Sequence, residues 1–309
     1  MLNYVVKRLL WLVPVMIGVV AIVYTITYHM PGAPAVTMRK ALEQGMDKPY
    51  IVQLGRYIWN LATKLDLGKS YLSNISVTAE LARRIPVTVQ ISFMGILLML
   101  AIGLPCGMVS ALRQYSALDI GLTSFSLILA AVPSYVLAIL SVVLFGVMLR
   151  WLPVAGLGDW RAWILPVVCS AIGGVAVYIR MTRTAMLEVI RQDYIRTARA
   201  KGLGESLVVR RHALRNCLIP LVTVIGLFVA TILSGSIIVE TIFNIPGMGL
   251  YLMDGILSRD YPVINGVVLV ISLFICLVNL LVDIAYAFID PRIKAQFASG
   301  KARGRKAPS

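Results

Sequence analysis

Few side chains in this sequence have the type and spacing needed for catalysis or ligand chemistry. Leu67-Gly68-Lys69-Ser70 matches the end of a phosphate-binding loop, in which glycine backbone and a lysine hold the phosphates of a nucleotide. That pattern requires an earlier glycine at position 63, where Thr63 stands. The sequence therefore predicts no nucleotide site here.

Metal, disulfide and nucleophile sites are not indicated either. His29 and His212 are too far apart in the sequence to suggest a joint site. Four cysteines lie in or beside apolar stretches, and none belongs to a Cys-x-x-Cys pair: Cys106, Cys169, Cys217 and Cys276. Such cysteines are typical of small buried hydrophobes. We expect no cofactor, no bound metal and no catalytic residue in this chain.

The composition indicates a membrane protein. Hydrophobic residues make up 59% of the 309 residues, charged residues only 14%, and the mean hydropathy is +0.85. Soluble domains average about 45–50% apolar and about 25% charged residues. This excludes a soluble enzyme, a collagen-like fibre and a disordered chain. The net charge of +15 is attributed to basic cytoplasmic loops and not to nucleic-acid binding.

Six apolar runs are long enough for transmembrane helices, which need about 20 residues. They are Leu9–Tyr28, Val87–Leu112, Ile120–Leu149, Ala162–Ile179, Asn216–Val239 and Tyr261–Val282. The third run is long enough to tilt or to extend past the membrane interface. Pro105 and Pro133 remove backbone donors, so each can kink its helix. We predict an all-α polytopic membrane protein with six transmembrane helices.

The cores of these runs contain no ionisable side chain, which argues against a transporter driven by protons or sodium. Glu240 and Asp283 stand at run ends, where we expect water or headgroups to reach them. Asn279 and Asp283 share a helix face at i, i+4. Two interpretations of this pair stay open: a polar contact between helices or at the interface, and a gate or pathway.

Lysine and arginine counts predict the orientation. With the N-terminus inside, the inner segments hold 18 of the 29 basic residues, and the short outer loops hold three, Arg150, Arg161 and Arg259. Basic residues accumulate in cytoplasmic loops, so both termini are predicted to be cytoplasmic. Arg83 and Arg84, which lie in the long outer stretch beside the second run, oppose the rule.

The runs divide the chain into four segments. Residues 1–30 are an N-terminal anchor helix, because their apolar run exceeds the 7–15 residues of a signal peptide core. Residues 31–86 are extracytoplasmic. Residues 87–290 form a five-helix core, and residues 291–309 a disordered cytoplasmic tail.

The extracytoplasmic segment contains a helical pattern of apolar residues. Leu54, Ile58, Leu61 and Leu65 recur at helical spacing, and Gly68 follows as a helix stop. We predict an amphipathic helix that lies on the outer membrane face or on a partner.

The inner loop near residues 183–215 is the most informative segment. Leu187, Ile190, Tyr194 and Ala198 recur at helical spacing and predict one amphipathic helix, after which two glycines and a second short helical stretch, Leu207 to Leu214, follow. The loop is rich in arginine. It suits a docking element for another cytoplasmic protein, and an ordinary basic inner loop is an equally good interpretation. The candidate docking residues are Arg196, Thr197, Ala198, Lys201, Gly202, Leu203 and Gly204.

This loop resembles the coupling loop of ABC importer permeases, whose pattern is Glu-Ala-Ala, three residues, Gly, nine residues, Ile-x-Leu-Pro. Ala198, Gly202 and Leu214 match the last alanine, the glycine and the leucine. The pattern departs from it at Arg196, Thr197, His212 and Arg215, in the form that the dipeptide/oligopeptide branch takes. Four other segments also resemble that branch: 66–70, 240–249, 259–262 and 290–292.

The resemblance implies a type I ABC importer permease fold in a bacterial-type inner membrane. It also implies four partner subunits: a second homologous permease, two cytoplasmic ATPases and an extracytoplasmic substrate-binding protein. The implied cargo is a di- or oligopeptide, or a related molecule such as a nickel chelate or glutathione, which enters by alternating access. ATP hydrolysis would belong to the ATPases, so the chain itself is not expected to be an enzyme.

Two other classes of function are weighed against this one. A secondary transporter with six helices would lose uptake with an uncoupler and would be indifferent to ATP. A membrane-embedded enzyme is disfavoured because the sequence has no paired catalytic groups.

Overall fold

The protein is built almost entirely from helices in residues 2–30 and 47–289, which the computed structural model describes. The α-helices are α1 (Leu2–Tyr28), α2 (Tyr50–Lys64), α3 (Val77–Leu112), α4 (Ala117–Ala131), α5 (Ser134–Ser141), α6 (Ile164–Ile190), α7 (Asp193–Ala200), α8 (Leu214–Ile242), α9 (Met248–Ser258) and α10 (Tyr261–Ile289). The predicted tail, residues 291–309, lies outside the described residues.

Shorter helical elements connect some of these helices. A π-helix, Val142–Met148, continues α5, and a 3-10 turn, Trp160–Trp163, leads into α6. A helical turn, Glu205–Leu207, and a second π-helix, Val208–Ala213, connect α7 to α8. We call the end of the molecule that carries α2 the α2 side, and the end that carries α7 the α7 side.

Four to six stretches are apolar and long enough to cross a bilayer. Four are single helical stretches: Arg8–Tyr28, Val77–Leu112, Trp160–Ile190 and Tyr261–Val282. The others are two bent pairs, Ala117–Ala131 with Ser134–Met148 and Glu205–Leu218 with Pro220–Ile232, if each pair crosses as one span. Each of the six predicted apolar runs overlaps one of these stretches.

The third apolar run is broken and does not form one tilted helix. α4 and α5 are bent by 94° relative to each other at Val132 and Pro133. Val132 is extended because the ring of Pro133 disfavours a helical residue before it, and Pro133 has no N–H to continue the hydrogen-bond ladder. The expected kink at Pro133 is thus a full break, whereas α3 continues through Pro105.

Glycines on α3 allow its close contact with α6, the most extensive helix contact among the described residues. A Cβ atom at Gly103 would lie 2.9 Å from Cβ of Tyr178. One at Gly107 would lie 2.5 Å from Cβ of Thr182 and 2.6 Å from the backbone oxygen of Ile179. Small residues at such positions let membrane helices approach each other, and the two glycines form a Gly-x-x-x-Gly pattern.

On the α2 side, α2 is fastened to the end of α1 by hydrogen bonds. Tyr24 Oη donates to Gln53 Oε1 at 3.1 Å, and Thr25 Oγ1 lies 2.6 Å from Tyr50 Oη. Burial raises the pKa of Tyr57, whose ring lies 5.6 Å from that of Tyr24. The tyrosine is therefore neutral at physiological pH.

The predicted apolar face of α2 packs on the chain itself. Leu54, Ile58 and Leu61 are partly buried against a core cluster that includes residues of α1 and α10. The helix ends at Lys64 and not near Gly68, because Leu65 adopts a left-handed conformation with φ 50°. Leu65 therefore leaves the predicted face and is 73% exposed.

We predict that Gly107→Ala destabilises the protein by about 1–3 kcal/mol, the usual cost of overpacking. The new Cβ would press against the Ile179 backbone oxygen, which cannot rotate away as a side chain can. Gly173→Ala in α6 is the matched control, since nothing lies within 4 Å of a Cβ there. Thermal unfolding of the purified protein in detergent should show a lowered midpoint for the Gly107 variant alone. Equal midpoints for the two variants would contradict the packing.

Candidate functional site

The candidate site is the segment between α6 and α8. α6 ends at Ile190 and α7 begins at Asp193, so the prediction of one amphipathic helix through both is wrong. Gln192 has an extended backbone, with φ −74° and ψ 148°, which turns the chain between the two helices. The helical phase therefore starts again at α7.

α7 is held against the rest of the chain by two buried side chains. Ile195 is 0% and Ala198 6% exposed. They belong to a cluster with residues from α3, α6, the second π-helix and α8: Ala111, Ala185, Met186, Val208, Val209, Ala213 and Cys217. Burial of a large aliphatic side chain stabilises by about 1.5–3 kcal/mol. α7 is thus packed against the rest of the protein and does not project freely from it.

Tyr194 does not occupy the buried face where the continuous helical pattern put it. It is 42% exposed, and its hydroxyl accepts a hydrogen bond from Asn216 Nδ2 at 2.9 Å. Ile195 takes the buried position instead. The shift by one residue follows from the turn at Gln192.

The predicted docking residues lie together on this segment, and most of them face outward. Arg196, Thr197, Lys201, Gly202 and Gly204 are exposed, whereas Leu203 is partly buried against the cluster that holds α7. The exposed cations and small residues can contact a protein surface that carries acidic groups.

One ion pair closes the turn after α7. Arg199 donates from Nε to Glu205 Oε2 at 3.0 Å and from Nη2 to Oε1 at 2.6 Å. These hydrogen bonds raise the pKa of the Arg199 guanidinium above its ordinary value. Both side chains are largely exposed, so the pair contributes little stability. The pair connects the last turn of α7 to the helical turn that follows it.

Gly202 has a backbone conformation that disfavours other residues. Its φ is +76°, and its N–H donates to the Arg199 carbonyl at 2.9 Å, as is common where a helix ends. Nothing lies within 4 Å of a Cβ built there, so the requirement is conformational and not one of space inside this chain. Gly204 differs, because its φ is −62° and its carbonyl begins the next helical turn.

A π-helix connects this turn to α8. Val208, Val209 and Ala213 are buried in the cluster, while Arg210 and Arg211 are exposed. π-helical insertions in α-helices are uncommon and occur frequently at functional sites. The segment therefore joins the exposed turn directly to a long apolar helix.

The predicted gate pair is only partly described. Asn279 lies on α10 and is exposed, whereas the side chain of Asp283 lies outside the described ones.

Glu240 is buried, which corrects the expectation that water or headgroups reach it. It is 0% exposed, and its carboxylate accepts from Thr88 Oγ1 at 2.7 Å, Gly249 N at 2.6 Å and Leu250 N at 3.1 Å. The two N–H groups belong to the first turn of α9, where a carboxylate is stabilised by the helix dipole. A Cβ at Gly247 would collide with this carboxylate.

A second buried carboxylate joins two segments, residues 66–70 and 259–262, that lie far apart in the sequence. Asp260 is 2% exposed and accepts from Ser70 Oγ at 2.6 Å and from Tyr71 N at 3.0 Å. Burial, with Tyr24 and Asp260 nearby, raises the pKa of Tyr71. Residues 66–70 and 259–262 thus meet on the α2 side. Because about 190 positions separate the two segments, no local sequence pattern indicates this contact.

The chain is similar to known membrane transport proteins. Residues 103–295 match the family model described as binding-protein-dependent transport system inner membrane component. The dipeptide transport system permease protein DppB of Alkalihalophilus pseudofirmus is 37% identical over 333 residues, covering 95% of this chain and 100% of the relative. The glutathione transport system permease protein GsiC of Pectobacterium atrosepticum is 40% identical over 306 residues, covering 95% and 99%.

A solved structure is also similar. A chain of the inward-facing MetNI methionine ABC transporter superposes with a TM-score of 0.61 at 20% identity, over 69% of this chain and 97% of that chain. At this level of identity the similarity demonstrates a shared fold.

We predict that Ile195→Ala lowers stability by about 2–5 kcal/mol, because it leaves a cavity in the cluster that holds α7. Arg196→Ala, one position away and exposed, should change stability by less than about 0.5 kcal/mol. Thermal unfolding in detergent, with proteolysis of residues 191–207 as a local probe, measures both. Equal protection of the segment in the two variants would contradict the docking of α7.

Proposed function

Since the chain belongs to the family of binding-protein-dependent transport system inner membrane components, we propose that it is the membrane-spanning permease subunit of an ATP-driven ABC importer for di- or oligopeptides. The observation that carries the proposal is α7, an exposed basic helix that is followed by a left-handed glycine and packs against the π-helix Val208–Ala213, which leads into α8. This is the arrangement expected of a part that receives force from another protein.

The names of the relatives support a peptide-type cargo. Those at 37% and 40% identity are named for dipeptide and glutathione transport, and both molecules contain peptide bonds. The extracytoplasmic binding protein would deliver the cargo. Binding measurements on that protein separate peptides from glutathione and from nickel chelates.

In the proposed mechanism this chain transmits movement, and its ATPase partners hydrolyse ATP. A second homologous permease completes the pathway, and two ATPases bind beneath the two permeases. One of them contacts the α7 surface of this chain, including Arg196, Lys201 and Gly202. When ATP closes the ATPases, α7 is displaced. Because α7 packs against the π-helix that continues into α8, and Ile195 and Ala198 share a buried cluster with residues of α3 and α6, the ends of those helices move with it. Access to the cargo then alternates between the two sides.

The proposed topology has six spans, with both termini and the α7 side in the cytoplasm of an inner-membrane protein. In this orientation, most basic residues lie in segments that are predicted to be cytoplasmic. Arg84, which opposes the rule, is held on the α2 side by Glu80 at 2.7 Å and lies 4.6 Å from the centre of the Tyr251 ring. Structural contacts therefore account for this exception. Asn279 and Asp283 stay candidates for a gate.

We predict that Gly202→Arg abolishes transport while the protein still inserts. A non-glycine residue at φ +76° strains the turn, and the added side chain occupies the ATPase surface. Uptake and cargo-stimulated ATP hydrolysis in proteoliposomes should both fall by more than about tenfold. Gly158→Arg, which adds the same side chain at an exposed position with open space, is the control. Normal uptake by a well-expressed Gly202→Arg complex would refute the role of α7.

The topology makes a separate prediction. Single cysteines at Asn60 and Ser299 should lie on opposite sides of the membrane in an otherwise cysteine-free protein. In intact cells, an impermeant thiol reagent should label position 60 only, and permeabilisation should expose position 299. Labelling of position 299 in intact cells would reject the orientation.

A further inference from the structure

An ion pair with a buried carboxylate joins three helices at one point on the α7 side. Asp119, in the first turn of α4, is 2% exposed and accepts from Arg183 of α6 twice: Nε to Oδ1 at 2.7 Å and Nη2 to Oδ2 at 2.8 Å. It also accepts from Ser110 Oγ of α3 at 2.5 Å and from the N–H of Tyr115 in the α3–α4 turn at 2.9 Å. Each carboxylate oxygen thus has two donors.

α4 contacts its neighbours with few buried side chains. Of its 15 residues only Asp119 and Ser126 are buried, whereas 12 residues of α6 are. α4 packs on α3 and α6 alone among the described elements, apart from weak contacts. Several of its large apolar side chains are exposed: Leu118, Ile120, Phe125, Leu127 and Ile128. The hydrogen bonds of Asp119, which we call the polar joint, therefore fix the beginning of α4, while partly buried contacts with α3 and α6 continue along the helix.

The chemistry of the joint favours a defined geometry. The two parallel hydrogen bonds of an arginine–carboxylate pair constrain both the distance and the angle between their helices. A buried ion pair is weak evidence for stability, since apolar replacements of similar size are often as stable. Its distinctive contribution is that it prevents the two helices from shifting past each other.

The joint also lies between the two parts that transport would move. Arg183 is two turns before the end of α6, and α7 follows directly. In the other direction α4 leads from Asp119 to the 94° break before α5. The pair therefore links the helix that carries α7 to the bent α4–α5 pair.

We propose that Asp119 and Arg183 are positioning residues for transport, which make the α4–α5 pair follow the displacement of α7. The inference rests on the proposed function. Loss of the joint would leave α7 able to bind the ATPases and to move α6, while α4 would no longer be carried along. ATP hydrolysis would then continue without a matching movement of cargo.

The test uses the complete transporter, with its ATPases and binding protein, in proteoliposomes. Arg183→Lys keeps the charge and loses the two-pronged contact. The double variant Asp119→Leu/Arg183→Met replaces the pair by apolar side chains, so that stability and positioning are separated. Arg84→Lys is the matched control, because it alters an arginine–carboxylate pair on the α2 side. Assembly, thermal midpoint, ATP hydrolysis and cargo uptake are measured for each.

We expect the Arg183→Lys variant and the double variant to assemble and to hydrolyse ATP, while the cargo moved per ATP falls about tenfold. Spin labels at Ile128 of α4 and Val168 of α6 give a readout independent of cargo. Their distance distribution should be narrow in the parent and the Arg84→Lys control, with and without ATP, and broad in the other two variants.

The proposal is wrong if the double variant moves as much cargo per ATP as the parent. It is also wrong if the distance distribution between the spin labels stays narrow in that variant. If both variants fail to assemble, the pair is a stability element and the proposal is also wrong. A parent complex that shows no ATP-dependent uptake would instead refute the proposed function, whatever the spin labels report.

Discussion

A carboxylate removed from water must be surrounded by donors within the protein, because burial without them costs several kcal/mol. Among the residues that the structure describes, three carboxylates meet this constraint. Asp119, Glu240 and Asp260 are each at most 2% exposed, and each accepts hydrogen bonds from backbone N–H groups as well as from side chains. Each lies where the chain leaves a long apolar helix or enters the next one. The carboxylates thus join helix ends whose backbone groups would otherwise lack partners.

Between these joints, close packing makes some parts of the molecule rigid and leaves others loosely attached. Glycines bring α3 and α6 into contact at the backbone, and Ile195 and Ala198 of α7 belong to a buried cluster with residues of both helices. α4 has few buried side chains, and its break at Pro133 separates it from α5, which packs on α6 and α8. The proposed docking surface therefore adjoins the most closely packed helices, while the beginning of α4 is fixed by a polar contact.

The sequence predicted the features that depend on composition and local conformation. Apolar runs located all candidate spans, and the two glycines marked the end of α7. Periodicity failed where a turn restarts the helical phase, so Ile195 and not Tyr194 is buried. The burial of Glu240 was missed because it depends on α9 folding back onto the end of α8. The contact of α3 with α6 could have been predicted from a local pattern, Gly-x-x-x-Gly, which indicates close helix packing.

Contacts that cannot slide are what a permease without chemistry of its own needs in order to use the energy of ATP. Apolar helix faces in a bilayer gain little from association, since lipid tails are as apolar as leucine. Packing through such faces lets one helix shift past another at low cost. Directed movement must therefore pass through close backbone contacts or hydrogen-bonded joints. The α3–α6 glycines are of the first kind and the Asp119–Arg183 pair is of the second. Together they leave a continuous rigid connection from α7 to the break before α5.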